Sequence, residues 1–391
     1  MRILYIDVNI THINPTANLF SKMLLNISDD VTFYGPGFLS NEIIKNGVLK
    51  FVKNQKPFDI VIYGPTCPML NKTMEEDIVG YCKNSTTNEI SFDTLLKYFK
   101  DVNFNFLNLE TRIQAISTLN YDYYSDPGKV LDIIEKNKFY LIGPNEQSMS
   151  LLENLPDFAK KESHYKRKQG QFSDRWFNYI SSNPQRNVTA LHFVSTEEIF
   201  FDPLDSRNYD ISVPGVEYFL RRKALQELKK SNLKISPKTV FNLFKILNFL
   251  KLKPYSNKFF MNFYKSSFQN SLRDSKFVYT ARGGFGIPIR KFFEIPASSS
   301  VLICDPCIGF EDLGYIPDKN YIKAKPEELI DKLNFWINNV YAQDVAIAGR
   351  DLILLKHSMK ARSEQIKKCF TKILLNEFSG SRWVKGDYII N

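Results

Sequence analysis

The chain has 391 residues, 43% of them hydrophobic and 24% charged. That composition excludes wholesale disorder and leaves room for two globular cores. The 52 Lys and Arg against 42 Asp and Glu give a net charge of +10, which points to an anionic partner: a phosphorylated or acidic small molecule, an anionic membrane, or nucleic acid.

Met1 to Asp7 opens directly into a strand pattern, no apolar run reaches transmembrane length, and five widely spaced cysteines make no disulfide framework. A reducing, cytoplasmic setting is therefore expected. Arg2 to Asp7 is an apolar run ending in a carboxylate, followed by a polar loop to Pro15 and a helical pattern over 16–27. Val31 to Tyr34 and Phe58 to Tyr63 read as strands, each stopped by Gly-Pro. Phe104 to Leu109 and Phe139 to Ile142 continue the strand series, with a helix over 130–135 between them. Buried strands alternating with helices predict a parallel sheet in an α/β domain. Lys160 to Asp174 is basic and aperiodic, and reads as an exposed loop.

Val188 to Val194 is a further strand, and a second strand-and-helix series opens at Tyr209 with a helix over 218–230. Phe277 to Tyr279 and Val301 to Cys304 are later strands; 289–297 and 326–340 read as helices. Two α/β halves follow, 1–195 and 196–365, with 366–391 as a tail positioned to cross back to the first half. Between Pro237 and Phe268, apolar residues at helical spacing alternate with lysines. Two readings compete: a core helix of the second half, or a basic amphipathic element lying on an anionic membrane. His192 reads as a core residue and His357 as a helix-terminal surface residue.

The stretch from Thr280 to Ala297 carries the most chemistry. Gly283, Gly284 and Gly286 let a backbone approach a ligand closely, and the helix that follows favours a diphosphate at its start. Arg282, Arg290 and Lys291 are placed to neutralise phosphate charge, and Glu294 to accept hydrogen bonds from ribose hydroxyls. This stretch resembles the C-terminal half of group-1 glycosyltransferases, in particular the CgeB-like branch, in its Gly-rich loop, Arg-containing helix and Phe293-Glu-Ile-Pro-Ala297 element. The resemblance runs on through Val301 to Asp305, Gly309 to Leu313, Lys325 to Leu329, Ala348 to Arg350 and His357 to Arg362. It begins upstream at Tyr209 to Gly215, Tyr218 and Arg221, so that it covers roughly 198–365.

The resemblance implies a GT-B fold, two Rossmann-like domains facing a cleft, with the donor nucleotide on the second. Carried over, Gly283 and Gly284 approach the phosphates, Arg282 and Lys291 neutralise them, and Glu294 holds the ribose. Glu311 and Asp312 lie near the sugar, and Gly215 with Arg221 makes a second phosphate contact. Where many retaining relatives carry Glu before Gly-Phe-Gly, this chain has Gly283.

No strict Asp-x-Asp occurs, so no metal is expected; basic side chains and a helix start do that work. An acceptor hydroxyl needs a base. Asp7, His12 and Glu110 are the candidates, read as lying at or just after the carboxyl ends of first-half strands.

The expected function is transfer of a sugar from a nucleotide-sugar co-substrate, with no other cofactor. The donor is a UDP- or GDP-hexose, or a CMP-linked acidic sugar such as Kdo. The acceptor is a glycan or lipid-linked glycan of a surface polysaccharide, at the inner membrane face. A nucleotide-sugar epimerase of the same fold and a non-catalytic glycan- or nucleotide-binding partner are the alternatives. Nucleic-acid binding has only the charge in its favour, without a stacking pattern.

Overall fold

The computed structural model describes residues 1–391 except 13–17, 65–78, 81, 84, 106–107, 118–127, 144–173, 191, 196–206, 251, 253, 255–256, 283–287 and 308. The basic stretch Lys160 to Asp174 and residues Gly283 and Gly284 therefore lie outside or almost wholly outside the described residues.

Six strands form the first sheet: β1 (Arg2–Ile6), β2 (Asp30–Tyr34), β3 (Phe58–Tyr63), β4 (Thr111–Ser117), β5 (Tyr140–Gly143) and β6 (Asn187–Thr189). They run in the order β2-β1-β3-β4-β5-β6, every pairing parallel. Successive side chains of a strand point to opposite faces, and here both faces are buried. Leu4, Ile6, Val61 and Tyr63 face a core built with Leu95, Tyr98 and Phe99 of helix Phe92–Asn105. Ile3, Tyr5, Ile60 and Ile62 face the other way, onto Phe20, Met23 and Leu24 of helix Leu19–Ile27.

The second sheet has the order β10-β9-β8-β7, again all parallel, from β7 (Tyr209–Ser212), β8 (Ser275–Ala281), β9 (Val301–Asp305) and β10 (Ile322–Lys323). One face carries Val278, Leu302 and Cys304 against Phe292, Phe293 and Ile295 of helix Lys291–Ala297. The other carries Phe277, Tyr279 and Ile303 against Leu220 and Ala224 of helix Phe219–Leu228 and Leu333 of helix Leu329–Trp336.

The chain then returns. Helix Met359–Leu374 packs on helix 19–27 and buries Ile366, Cys369, Phe370 and Ile373 in the same core as Ile3 and Tyr5. The antiparallel hairpin β11 (Ser381–Val384) and β12 (Asp387–Ile390) follows. It ties to β6: the Thr189 amide donates to Ser381 Oγ (2.9 Å), and Tyr388 Oη donates to the Thr189 carbonyl (2.7 Å). The two segments that pass between the lobes are also bonded to each other. Val194 N donates to His357 O (3.3 Å) and Met359 N to Val194 O (2.7 Å). Beside that crossing, Arg362 is fully buried and donates to Gln365 Oε1 (2.6 Å), His357 Nδ1 (3.2 Å) and His192 O (3.4 Å), with its guanidinium 5.0 Å above the Trp383 ring.

Four expectations are corrected. The described residues of Phe104 to Leu109 form no strand: the helix 92–105 occupies the start and β4 begins only at Thr111. Leu95, Tyr98, Phe99 and Val102 recur at helical spacing and bury one stripe, which outweighs the short apolar run at its end. The strand read over 188–194 is confined to Asn187–Thr189, because beyond it the backbone turns to pair with the returning segment at 358. His357 is fully buried in place of lying on the surface; its Nε2 donates to Leu313 O (2.8 Å), and burial together with Arg362 pushes its pKa down to about 3. Thr239–Phe249 is a helix but not a core one, since it buries only Phe244.

Candidate functional site

In a parallel sheet the loops at the carboxyl ends of the strands gather the helix starts, and ligands bind there. At that edge of the second sheet β7 ends at Ser212, and the chain turns at Gly215 with φ +82°. Helix 219–228 starts next, and Arg221 in its first turn is 3% exposed, its guanidinium 4.8 Å above the Tyr218 ring. Lys291 opens its own helix and reaches the same turn, with its ammonium 5.3 Å above the Phe268 ring. A Cβ at position 215 would lie 2.8 Å from Lys291 Cε, 3.0 Å from its Nζ and 3.7 Å from Arg221 Nη1. Gly215, Arg221 and Lys291, 76 residues apart at the extremes of the sequence, thus meet at one point.

The two cations lie within about 7 Å of each other, where their repulsion at an effective dielectric of 20 is on the order of 2 kcal/mol. Burial, and then Arg221, push the Lys291 pKa from 10.5 down to about 8, while Glu294 offsets part of the effect. Cations at a helix start also oppose the helix dipole. A bound anion would relieve the repulsion between the two cations. Gly215→Ala is therefore expected to do two things: destabilise the fold by about 1–3 kcal/mol through the left-handed backbone and the Lys291 clash, and weaken anion binding. Thermal melting with and without nucleotide measures both.

Other predicted donor residues are engaged inside the protein. Arg282 follows β8; its amide donates to Asp305 O (3.0 Å) and its Nε lies 3.5 Å from Asp305 Oδ2. Burial raises the Asp305 pKa, with Arg282 pulling the other way. Glu294 is 5% exposed and forms a 2.6 Å ion pair with Arg290. Gly283 and Gly284 lie outside the described residues. Glu311 is exposed and Asp312 half-buried on the turn after β9, where Asp312 O accepts from Gly386 N of the C-terminal hairpin (2.8 Å).

Three residues close to the predicted ones were not read as site residues from the sequence. Lys238 Nζ donates to Gly215 O (3.1 Å) and to Glu217 Oε1 (2.8 Å), fixing the turn beside Arg221. Asp305 was findable as a carboxylate closing a parallel strand, the position the carboxyl-edge rule singles out. His192 feels Arg290: burial first, then Arg290 and Arg362, push its pKa down to about 4. That electrostatic contact joins the segment following the first sheet to the loop that precedes helix 291–297.

On the first lobe, Asp7 is 4% exposed, accepts from Tyr5 Oη (2.7 Å), and packs so tightly under Gly64 that a Cβ there would sit 2.0 Å from its Oδ2. Its position braces the β1 and β3 ends. His12 lines a polar cavity of about 540 Å³ with Asn9, Thr11, Asn88 and Glu89. Asn9 Oδ1 organises that wall by accepting from Thr11 N (3.2 Å), Thr11 Oγ1 (2.7 Å) and Asn18 Nδ2 (2.9 Å). Glu110 is exposed and immediately precedes β4, so it lies at the amino edge of the sheet, opposite to where the misread strand had placed it. Arg112, two residues on, directs its Nη2 to Leu374 O (2.9 Å).

No family model matches the sequence, and no curated protein does. Among solved structures, the chain is similar to sucrose-phosphate synthase from Thermosynechococcus elongatus at 8% identity, over 96% of this chain and 100% of that one, with a TM-score of 0.52. It is also similar to a glycosyltransferase from Rickettsia africae ESF-5 (11% identity, 96% and 98% covered, TM-score 0.48). A third similarity is to Anabaena HepE in complex with UDP (10% identity, 95% and 100% covered, TM-score 0.47). With two parallel-sheet lobes joined by a crossing C-terminal helix, and with sucrose-phosphate synthase matched along its whole length, the chain has a GT-B fold of two Rossmann-like domains.

Proposed function

We propose that this chain is a glycosyltransferase that takes its sugar from a nucleotide-sugar donor. The observation that carries the proposal is the meeting of Arg221 and Lys291 against Gly215 at the carboxyl edge of the second sheet. Like charges held this close at a helix start suit a diphosphate or phosphate, whose negative charge grows as the sugar departs. The donor is a UDP- or GDP-hexose or a CMP-linked acidic sugar such as Kdo; the excess of positive charge suits either. The two side chains supply the charge that a metal supplies in Asp-x-Asp enzymes. The domains divide at 195/196, the second lobe taking the donor and the first the acceptor.

The polar cavity lined by Asn9, Thr11, His12 and Glu89 suits a hydroxyl-rich acceptor, and His12 is the base that takes the acceptor proton. The acceptor is a growing glycan of a surface polysaccharide, carried on lipid at the inner membrane face. The test is to incubate the protein with a panel of nucleotide sugars and glycan acceptors and to measure free nucleotide. Release that depends on acceptor supports transfer; interconversion of the donor alone, or no turnover with any pair, overturns it. In the active pair, His12→Ala is expected to lower kcat by about 10²- to 10³-fold and to leave nucleotide affinity unchanged; an unchanged kcat removes His12 from the mechanism.

A further inference from the structure

Between 237 and 273 the described residues form two helices, Thr239–Phe249 and Lys258–Arg273, that pack on each other, while the end of the second also reaches β8 and buries Leu272 in the core of the lobe. Their shared seam is aromatic: Phe244 meets Tyr264 at 4.8 Å and Phe260 at 6.4 Å, and Phe241 meets Tyr264 at 5.6 Å and Phe268 at 6.2 Å. Phe244 is the only buried residue of the first helix. Val240, Phe241 and Leu247 are half-buried, and the other apolar residues of this helix face outward. Ile246, Phe249 and Leu250 are exposed, as are Leu252, Phe259 and Phe263, with Phe249 at 84% and Phe259 at 74%. Exposed aromatic and aliphatic side chains grouped on one pair of helices mark an interaction surface.

The charge identifies the partner. From Lys238 to Arg273 the sequence carries seven Lys and Arg and no Asp or Glu. Two copies of such a surface repel when brought face to face, whereas an anionic bilayer offers both an apolar interior and negative headgroups. Aromatic and aliphatic side chains flanked by lysines are the pattern of a helix resting in the lipid interface.

We propose that this helical hairpin docks the protein on an anionic lipid surface, with Phe249 and Phe259 inserted at its far end. The base of the hairpin is the wall of the donor site. Lys238 holds the Gly215 turn, and Phe268 lies under the Lys291 ammonium. From Phe259 to Phe268 is nine residues of one helix, about 14 Å at 1.5 Å per residue. Docking therefore sets the cation pair at a fixed, short height above the headgroups. The lipid-borne acceptor proposed above gives this geometry its purpose; the docking itself stands on the exposed residues and the charge.

The test uses the full chain and vesicles of phosphatidylglycerol or of phosphatidylcholine, with flotation as the readout. Binding is expected to phosphatidylglycerol alone and to weaken at high salt. Phe249→Glu together with Phe259→Glu is expected to reduce the partition coefficient at least tenfold, and Lys245→Gln with Lys258→Gln to reduce it severalfold. Circular dichroism and nucleotide affinity, both expected to stay unchanged, show that the variants fold and keep the donor site separate from docking. No binding by the unaltered chain, binding indifferent to these substitutions, or a solution dimer that the Phe→Glu pair dissociates would each overturn the proposal, the last by assigning the surface to a second copy.

Discussion

Arg221→Gln is expected to weaken binding of a nucleoside diphosphate by roughly 10- to 100-fold, the loss of one charge-assisted contact of about 1.5–3 kcal/mol. Titration calorimetry of the unaltered chain and the variant measures it, and equal affinities would remove Arg221 from the site. Lys291→Met is expected to weaken binding similarly and, in the same protein, to raise the stability of the ligand-free state by about 1–3 kcal/mol. The reason is the depressed Lys291 pKa, about 8 in the fold against 10.5 in the unfolded chain. A tenfold difference in proton affinity between the two states corresponds to about 1.4 kcal/mol, before solvent screening reduces it. The unfolded chain holds this proton more tightly. Its penalty on the free protein is complete below pH 8 and is relieved as pH rises from 8 toward 10.5. Ligand binding runs the opposite way. A bound anion restores the proton, so affinity is highest below pH 8 and falls by up to about tenfold for each further step of one in pH. The Met variant loses that slope. A Lys291→Met protein that melts lower, or a flat pH profile for the unaltered chain, would contradict the assignment.

Arg362→Ala is expected to cost about 4 kcal/mol, read as a lowered urea midpoint. The side chain is fully buried and serves three acceptors on different segments: Gln365 Oε1, His357 Nδ1 and His192 O. Burial lowers its pKa only to about 10, so it stays charged at neutral pH. Removal leaves a cavity under Trp383 and three polar atoms without their donor. Arg362→Met refills the volume and leaves only the polar deficit, so about half the loss is expected. Equal stability of the Ala variant and the unaltered chain would show that the crossing holds without this residue.

The parallel sheets were legible because each strand is a short apolar run that ends at a turn residue, as Phe58 to Tyr63 ends at Gly64-Pro65. The run at 104–109 looked the same and failed, since a helix's final turn can be as apolar as a strand. Gly215 and Arg221 were reached through a family resemblance, and Lys291 through the charge that follows the glycine-rich stretch. Nothing local in the sequence says that a lysine at 291 touches a turn at 215. The hairpin at 239–273 shows another limit. Helical periodicity reveals that a face is apolar but not what covers it, so a core helix and an exposed one read alike. His357 was misread as a surface residue and Arg362 was given no structural role, because a polar side chain looks superficial until the neighbours that satisfy it are in place.

The return of helix 359–374 to the first lobe bears on how the chain is made. Ile366, Phe370 and Ile373 complete the layer beneath Ile3 and Tyr5. At a ribosomal rate of about 10 residues per second, β6 is synthesised roughly 20 s before that helix. Throughout that interval helix 19–27 covers this face of the first sheet without the helix that completes the layer. The early half of the chain must wait for the late half, and the two lobes mature together.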